Sequence, residues 1–171
     1  KVSPVPVMRW FATGYVNVVR NTPLTLIILL CSVGLYQNLG LTLAQDNSDF
    51  IANNNFRLAV LGFILYTSTF VCETLRAGFN TVPLGQAEAA RSIGLTFPQS
   101  MHAIILPQAF RGAITPLGNV LIALTKNTTV ASVIGVAEAS LAMKNMIEFR
   151  PDVMVSVFLV IAIGFVILTL P

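Results

Sequence analysis

Two groups of polar residues stand out against a largely apolar chain. The first lies in EAARSIGLTFPQSMHAIILP, Glu88 to Pro107, and holds Glu88, Arg91 and His102. The second surrounds Lys126 and Glu138, with Asn119, Thr125, Asn127, Thr128, Thr129 and Ser132 beside them. Neither suits enzymatic chemistry. The chain has no G-x-x-x-x-G-K-[ST] phosphate loop, no H-E-x-x-H and no G-x-S-x-G. Its two cysteines, Cys31 and Cys72, sit inside apolar runs, with neither metal-ligand spacing nor a disulfide framework. His102 lacks triad partners and reads as a solvated or interfacial side chain. The expectation is therefore no catalytic residue, no metal and no cofactor in this chain. Two roles remain for the polar groups: docking a partner and lining a path.

The elements that must position them are membrane helices. Of 171 residues, 55% are hydrophobic and 10% charged, where soluble domains carry about 25% charged residues. The net charge of +3 is too small to suggest a nucleic-acid partner. Asn21 to Gln45 and Val153 to Pro171 carry no formal charge, and Arg57 is followed by none until Glu73. Runs of about 18 apolar residues read as transmembrane helices. Alternating segments of about 10 residues, the mark of a β-barrel, are not seen. The fold class is thus an all-α, polytopic transmembrane helical bundle, taken as one domain over 1–171.

Spans are expected at Pro23 to Leu43, Leu58 to Phe79, around Gly112 to Leu124, and from Val153 onward. Pro23 suits a helix start. AQDNSDFIANNNF (44–56) and KNMIEFRPD (144–152) read as polar loops. Pro4 and Pro6 predict an extended start. Met8, Phe11, Tyr15 and Val19 then share helical spacing. With Arg9 and Arg20 nearby, an interfacial helix and an ordinary packed helix fit this pattern equally. Glu73 and Arg76 are spaced to pair on one face. Pro116, with Gly112 and Gly118, is expected to bend its helix, and Pro107 to start one. Lys1, Arg9, Arg20, Arg76, Arg91 and Arg111 fall on one side. Arg57, Lys144 and Arg150 fall on the other, with Asp46, Asp49, Glu148 and Asp152. The cation-rich side is cytoplasmic by the positive-inside rule, provided that 112–143 crosses once with an irregular middle.

The segment 83–107 is therefore a cytoplasmic connector. Pro83 stands where a helix begins and Gly94 where one ends, since glycine accepts positive φ past a helix C-terminus. Glu88 is placed near the helix N-terminus, where a negative charge is favoured. Ala87, Ala89, Ala90 and Ile93 supply a compact apolar side. Such a helix suits a groove on another protein or the lipid headgroups, and composition does not choose between them. For Lys126, a substrate-attracting role competes with a structural pairing to Glu138 or snorkelling.

Glu88-Ala89-Ala90, three residues, Gly94, nine residues, then Ile104-x-Leu106-Pro107 matches every fixed position of the EAA signature of ABC importer permeases. RNTPLTL (20–26), CETLRAGFNTVPLGQAEAARSIGL (72–95) and PLGNVLIALTKNTTVASVIGVAE (116–138) resemble the polar amino-acid uptake branch of that family. NTPLTLIILLCSVGLYQNLGLTLAQ is most like the glutamate permease subunits of actinobacteria. The resemblance covers essentially the whole chain. It implies a type I ABC importer permease fold, with one more span before Lys1 and a short tail after Pro171, so that both ends are truncated. It also implies a multi-pass protein of the bacterial plasma membrane. Glu88, Ala89, Ala90, Arg91, Ser92 and Gly94 would then form the coupling helix that docks a cytoplasmic ATPase, which binds the ATP and Mg. The other partners implied are a second permease subunit, identical or different, and an external substrate-binding protein. Asn119, Thr125, Lys126, Asn127, Thr128, Ser132 and Glu138 are the candidate substrate path, where a fixed cation suits an acidic amino acid. An ATPase-independent channel or carrier subunit, and a non-transporting membrane scaffold, are the alternatives.

Overall fold

A computed structural model of the protein describes residues 6–45 and 48–170. The expectations for Lys1, Pro4, Asp46 and Pro171 lie outside the described residues. No β-strand occurs among the described residues. The described residues form eight α-helices, in order α1 Pro6–Asn21, α2 Leu24–Leu29, α3 Phe50–Asn80, α4 Leu84–Ser92, α5 Phe97–Ser100, α6 Leu106–Asn127, α7 Ala139–Phe149 and α8 Met154–Thr169. Among the described residues, three helical runs are long and apolar enough to cross a membrane: Phe50–Asn80, Phe97–Ile134 and Pro151–Thr169. Contacts divide the chain into two compact units, Lys1–Thr69 with Ala123–Pro171, and Phe70–Ile122.

In the first unit, α2 runs directly into a π-helical segment, Leu30–Asn38. The span expected to reach Leu43 therefore stops at Asn38. The Gly40 N–H reaches Tyr36 O at 2.9 Å and the Leu41 N–H reaches Leu35 O at 2.9 Å, closing the helix. The shortened helix qualifies as a span only together with α1, from which it is bent by 107°. Pro23 sits at the bend as the cap residue, with extended ψ of 136°, because it has no N–H with which to continue α1. Pro6, expected in an extended start, is instead the first residue of α1. The apolar stripe read on α1 is split. Val16 is buried and the Tyr15 hydroxyl donates to Leu65 O at 2.7 Å, while Phe11 is 77% exposed and Met8 62%.

The polar 44–56 stretch is the largest revision. Its second half is helical, because α3 starts at Phe50. At 31 residues and about 1.5 Å each, α3 is roughly 46 Å long and overshoots a hydrocarbon layer of about 30 Å. The polar first turns are the excess. Their side chains fasten neighbouring backbone: Asn54 Oδ1 accepts from Leu43 N at 2.7 Å, Asn55 Nδ2 donates to Ile134 O at 2.9 Å, and the Arg57 guanidinium donates to Leu43 O. The core below them is Leu24, Ile28, Ala59, Ala131, Ile134 and Val136, flanked by Phe63 and Tyr66. KNMIEFRPD is likewise helical as far as Phe149. Arg150, held extended at φ −139° before Pro151, ends α7, as residues before proline are driven out of the helical region. The last span begins close to Val153 as expected, with α8 starting at Met154.

In the second unit, the helix expected to begin at Pro107 begins ten residues earlier, at Phe97. Thr96 and Gln99 form a capping box there, satisfying N–H groups that the first turn leaves free. Pro107 is accommodated inside the run because the turn before it, Met101–Ile105, is π-helical; a wider turn absorbs the missing donor. The run then passes through Pro116 without a break.

Candidate functional site

The segment holding Glu88 forms a discrete helix between two long ones. Pro83 is its N-cap, with φ −61° and ψ 138°, a geometry that proline pre-sets. The other end is closed at Gly94, whose φ is +84°. The Gly94 N–H donates to Arg91 O at 3.0 Å and the Leu95 N–H to Ala90 O at 3.1 Å. That pair of bonds is a Schellman motif, and it needs a residue in the left-handed region at the first position outside the helix. Pro83 and Gly94 thus play the parts expected of them. Glu88 does not. It is the fifth residue of α4, beyond the first turn in which the helix dipole acts on a carboxylate.

The six residues expected to dock a partner divide into one that holds the helix down and five that face outward. Ala90 is 1% exposed, while Glu88, Ala89, Arg91, Ser92 and Gly94 are exposed. The Ser92 hydroxyl donates to Glu88 O at 3.0 Å and Arg91 Nε to Ala87 O at 3.3 Å, so both polar side chains are folded against their own helix. Leu84 and Ile93 are also exposed, which adds apolar contact area at either end of α4. Beside the helix, Ala87, Arg91, Leu95, Phe97, Ser100 and Ile105 line a cavity of about 320 Å³. His102 is exposed, as expected for a solvated side chain.

The candidate path residues fall in two places. Asn119 is exposed on α6 in the second unit. In the first unit, Thr125, Lys126 and Asn127 end α6, and Thr128 and Ser132 lie in the 3-10 helix Thr128–Ile134 that follows. Here the hydroxyls turn back on their own helix. Thr128 donates to Thr125 O at 2.7 Å, Thr129 to Lys126 O at 2.9 Å and Ser132 to Thr129 O at 2.7 Å. Their protons are committed, so their oxygens offer lone pairs, which suit an ammonium better than a carboxylate. The donors for a carboxylate are Lys126, which is exposed, and the half-buried Asn127. Glu138 serves differently. Its carboxylate caps α7, accepting from Ser140 N at 2.7 Å and Leu141 N at 2.8 Å, and among the described residues no ion pair joins it to Lys126. The structural pairing weighed for those two residues is therefore not formed.

Sequence reasoning did not single out Asn54, Asn55 and Thr81. All three act on backbone groups outside their own turn or at its end. For the asparagines, a signal was available in three successive amides, Asn53 to Asn55, beside an apolar span.

Among the described residues, a short capped helix thus stands between helices long and apolar enough to cross a membrane, the architecture of an integral membrane protein. Residues 2–171 match the family described as the binding-protein-dependent transport system inner membrane component, and the chain belongs to that family. Among individual proteins, it is 67% identical over 172 residues to the glutamate transport system permease protein GluC of Corynebacterium efficiens, covering 100% of this chain and 75% of that protein. It is 35% identical over 164 residues to the probable glutamine ABC transporter permease protein GlnM of Bacillus subtilis, covering 96% of this chain and 70% of the other. A crystal structure of an amino acid ABC transporter with histidines superposes with a TM-score of 0.82 at 30% identity, over 98% of this chain and 72% of that one.

Proposed function

We propose that this chain is the membrane-spanning permease subunit of an ATP-driven importer of polar amino acids, with glutamate as the substrate, and that α4 docks a separate cytoplasmic ATPase. The observation that carries the reading is α4 itself: nine residues, stopped at both ends, with Glu88, Ala89, Arg91 and Ser92 exposed. A helix of that length has little intrinsic stability in water. Caps and the buried Ala90 keep it formed while its outer face stays free for a partner. The 67% identity to a glutamate permease supports the substrate class. Lys126 and Asn127 suit the carboxylates of such a substrate, and the Thr128 and Ser132 oxygens suit its ammonium.

In this reading the ATPase subunits bind ATP and Mg, and their closure displaces α4. The displacement passes to the helices on either side, opening the path to one face of the membrane or the other. A second permease subunit completes the path, and an external binding protein delivers the amino acid.

The test is reconstitution of the whole assembly in proteoliposomes, with labelled glutamate outside and ATP inside. Uptake should require ATP, and unlabelled glutamate should compete better than other polar amino acids. A cysteine at Ser92 should crosslink to the ATPase. Uptake driven by an ion gradient without ATP, or no crosslink in any nucleotide state, would remove the reading.

A further inference from the structure

We infer that Thr81 and Gly112 form the joint that holds α4 to the membrane helices, so that a push on α4 reaches α6 instead of being absorbed by the turn. The inference rests on the reading of α4 as the docking element and adds two positioning residues to it.

Thr81 is the first residue past α3. Its N–H and its hydroxyl both donate to the same carbonyl, Gly78 O, at 3.2 and 2.7 Å. Two bonds to one acceptor fix the side chain as well as the backbone. The side chain so fixed is seated against Gly112 of α6. A Cβ built on Gly112 would lie 2.5 Å from Thr81 Oγ1 and 3.2 Å from its Cγ2. One turn back, a Cβ on Gly78 would lie 2.6 Å from Ala109 O and 2.8 Å from Ala113 Cβ. Ala109 and Ala113 are 3% and 1% exposed. The end of α3 and the first turns of α6 therefore meet almost backbone to backbone. Flexible side chains between helices would take up displacement by changing rotamer; this contact has none to change.

The linkers leave no slack either. Only Thr81, Val82 and Pro83 separate α3 from α4, and the Val82 N–H is tied to Phe79 O at 3.2 Å. On the far side, Gly94 to Thr96 carry the Schellman bonds and the capping box. Thr81 thus stands where a movement of α4 must either turn the α3–α6 pair as one body or break the seat against Gly112.

The experiment measures glutamate moved per ATP hydrolysed in the reconstituted assembly. Gly112→Ala puts a methyl group 2.5 Å from Thr81 Oγ1 and should lower that ratio about fivefold, within the range for residues that transmit coupling. Thr81→Ala removes the atoms in conflict, so the Gly112→Ala, Thr81→Ala double variant should recover to within about twofold of wild type. An unchanged ratio in Gly112→Ala, or no recovery in the double variant, overturns the inference. So does a parallel fall of hydrolysis and uptake, which reports fewer folded complexes at an intact ratio. Should Gly112→Ala fail to assemble, Thr81→Val and Thr81→Leu decide. Valine keeps the shape seated against Gly112 and should keep the ratio, leucine overfills the seat and should lower it, and the same ratio in both overturns the joint. Wild-type assemblies that take up glutamate without ATP would instead sink the docking reading beneath it.

Discussion

Replacing Gly94 removes the residue on which α4 stops. Its φ of +84° belongs to the left-handed region, and a Cβ added there meets nothing within 4 Å. The cost of substitution is therefore conformational and not steric. An L-residue held in that region costs about 1–2 kcal/mol. Replacing glycine returns about 0.4–1 kcal/mol by restricting the unfolded chain. For Gly94→Ala the net is about 1 kcal/mol, roughly a fivefold change in the local opening equilibrium at 1.36 kcal/mol per decade. Asparagine tolerates the left-handed region and should cost less; valine, β-branched, should cost more. The loss falls on the bonds that the glycine closes, Leu95 N–H to Ala90 O above all. Hydrogen exchange of the 90–95 amides, followed by mass spectrometry, should accelerate in the order Asn, Ala, Val. Affinity for the ATPase should fall in the same order, with thermal unfolding of the long helices unchanged. Equal exchange in all three variants would refute the cap. Faster exchange with undiminished docking would refute the need for a stopped helix.

Four further outcomes follow from the same structure. Glu88→Lys reverses an exposed charge whose substitution should alter folding by no more than about 0.5 kcal/mol, so ATPase docking should weaken while membrane expression stays constant; equal losses would contradict an outward-facing role. Lys126→Ala should raise the substrate concentration needed for half-maximal uptake roughly tenfold, since a hydrogen bond to a charged group is worth about 1.5–3 kcal/mol, with Lys126→Arg largely sparing it. Glu138→Ala removes both acceptors at the start of α7 and should destabilise the protein by about 1–2 kcal/mol in thermal unfolding, with Glu138→Asp recovering part of the loss. Asp152 accepts two hydrogen bonds from the Arg150 guanidinium at 2.8 and 2.9 Å, and both side chains are exposed. Exposed ion pairs contribute little to stability, so Arg150→Gln should leave thermal unfolding nearly unchanged; a clear loss would contradict the exposed placement.

What was legible in the chain was what is locally determined. Pro83 and Gly94 set α4 by their own backbone preferences, without help from distant residues, and the uncharged runs announce spans because lipid demands it. The errors fall where a residue's conformation is set by something outside its own composition. Asn54, Asn55 and Arg57 look like loop residues until Leu43 and Ile134 are seen to receive their hydrogen bonds. Lys144 to Phe149 look like a loop because the cap that starts their helix is Glu138, six residues upstream and assigned to a different task. Pro107 looks like a beginning because nothing in its own neighbourhood reveals the π-helical turn that admits it. The residues proposed to dock the ATPase are pointed to by the resemblance to the EAA signature, and which of them turn outward is decided by the packing of Ala90.

The last helix has a consequence for how this chain can change over time. No residue of α8 is fully buried within the chain, and only the side carrying Val157, Ile161 and Phe165 is half-buried. Val155, Phe158, Val160, Ile163, Val166 and Ile167 are exposed. At those positions one apolar residue can replace another without altering an internal fit, whereas one lysine at the helix midpoint would be costly in hydrocarbon. Where α4 is spelled, the open side of α8 is merely written in the right alphabet, and mutation is free to reshuffle its letters.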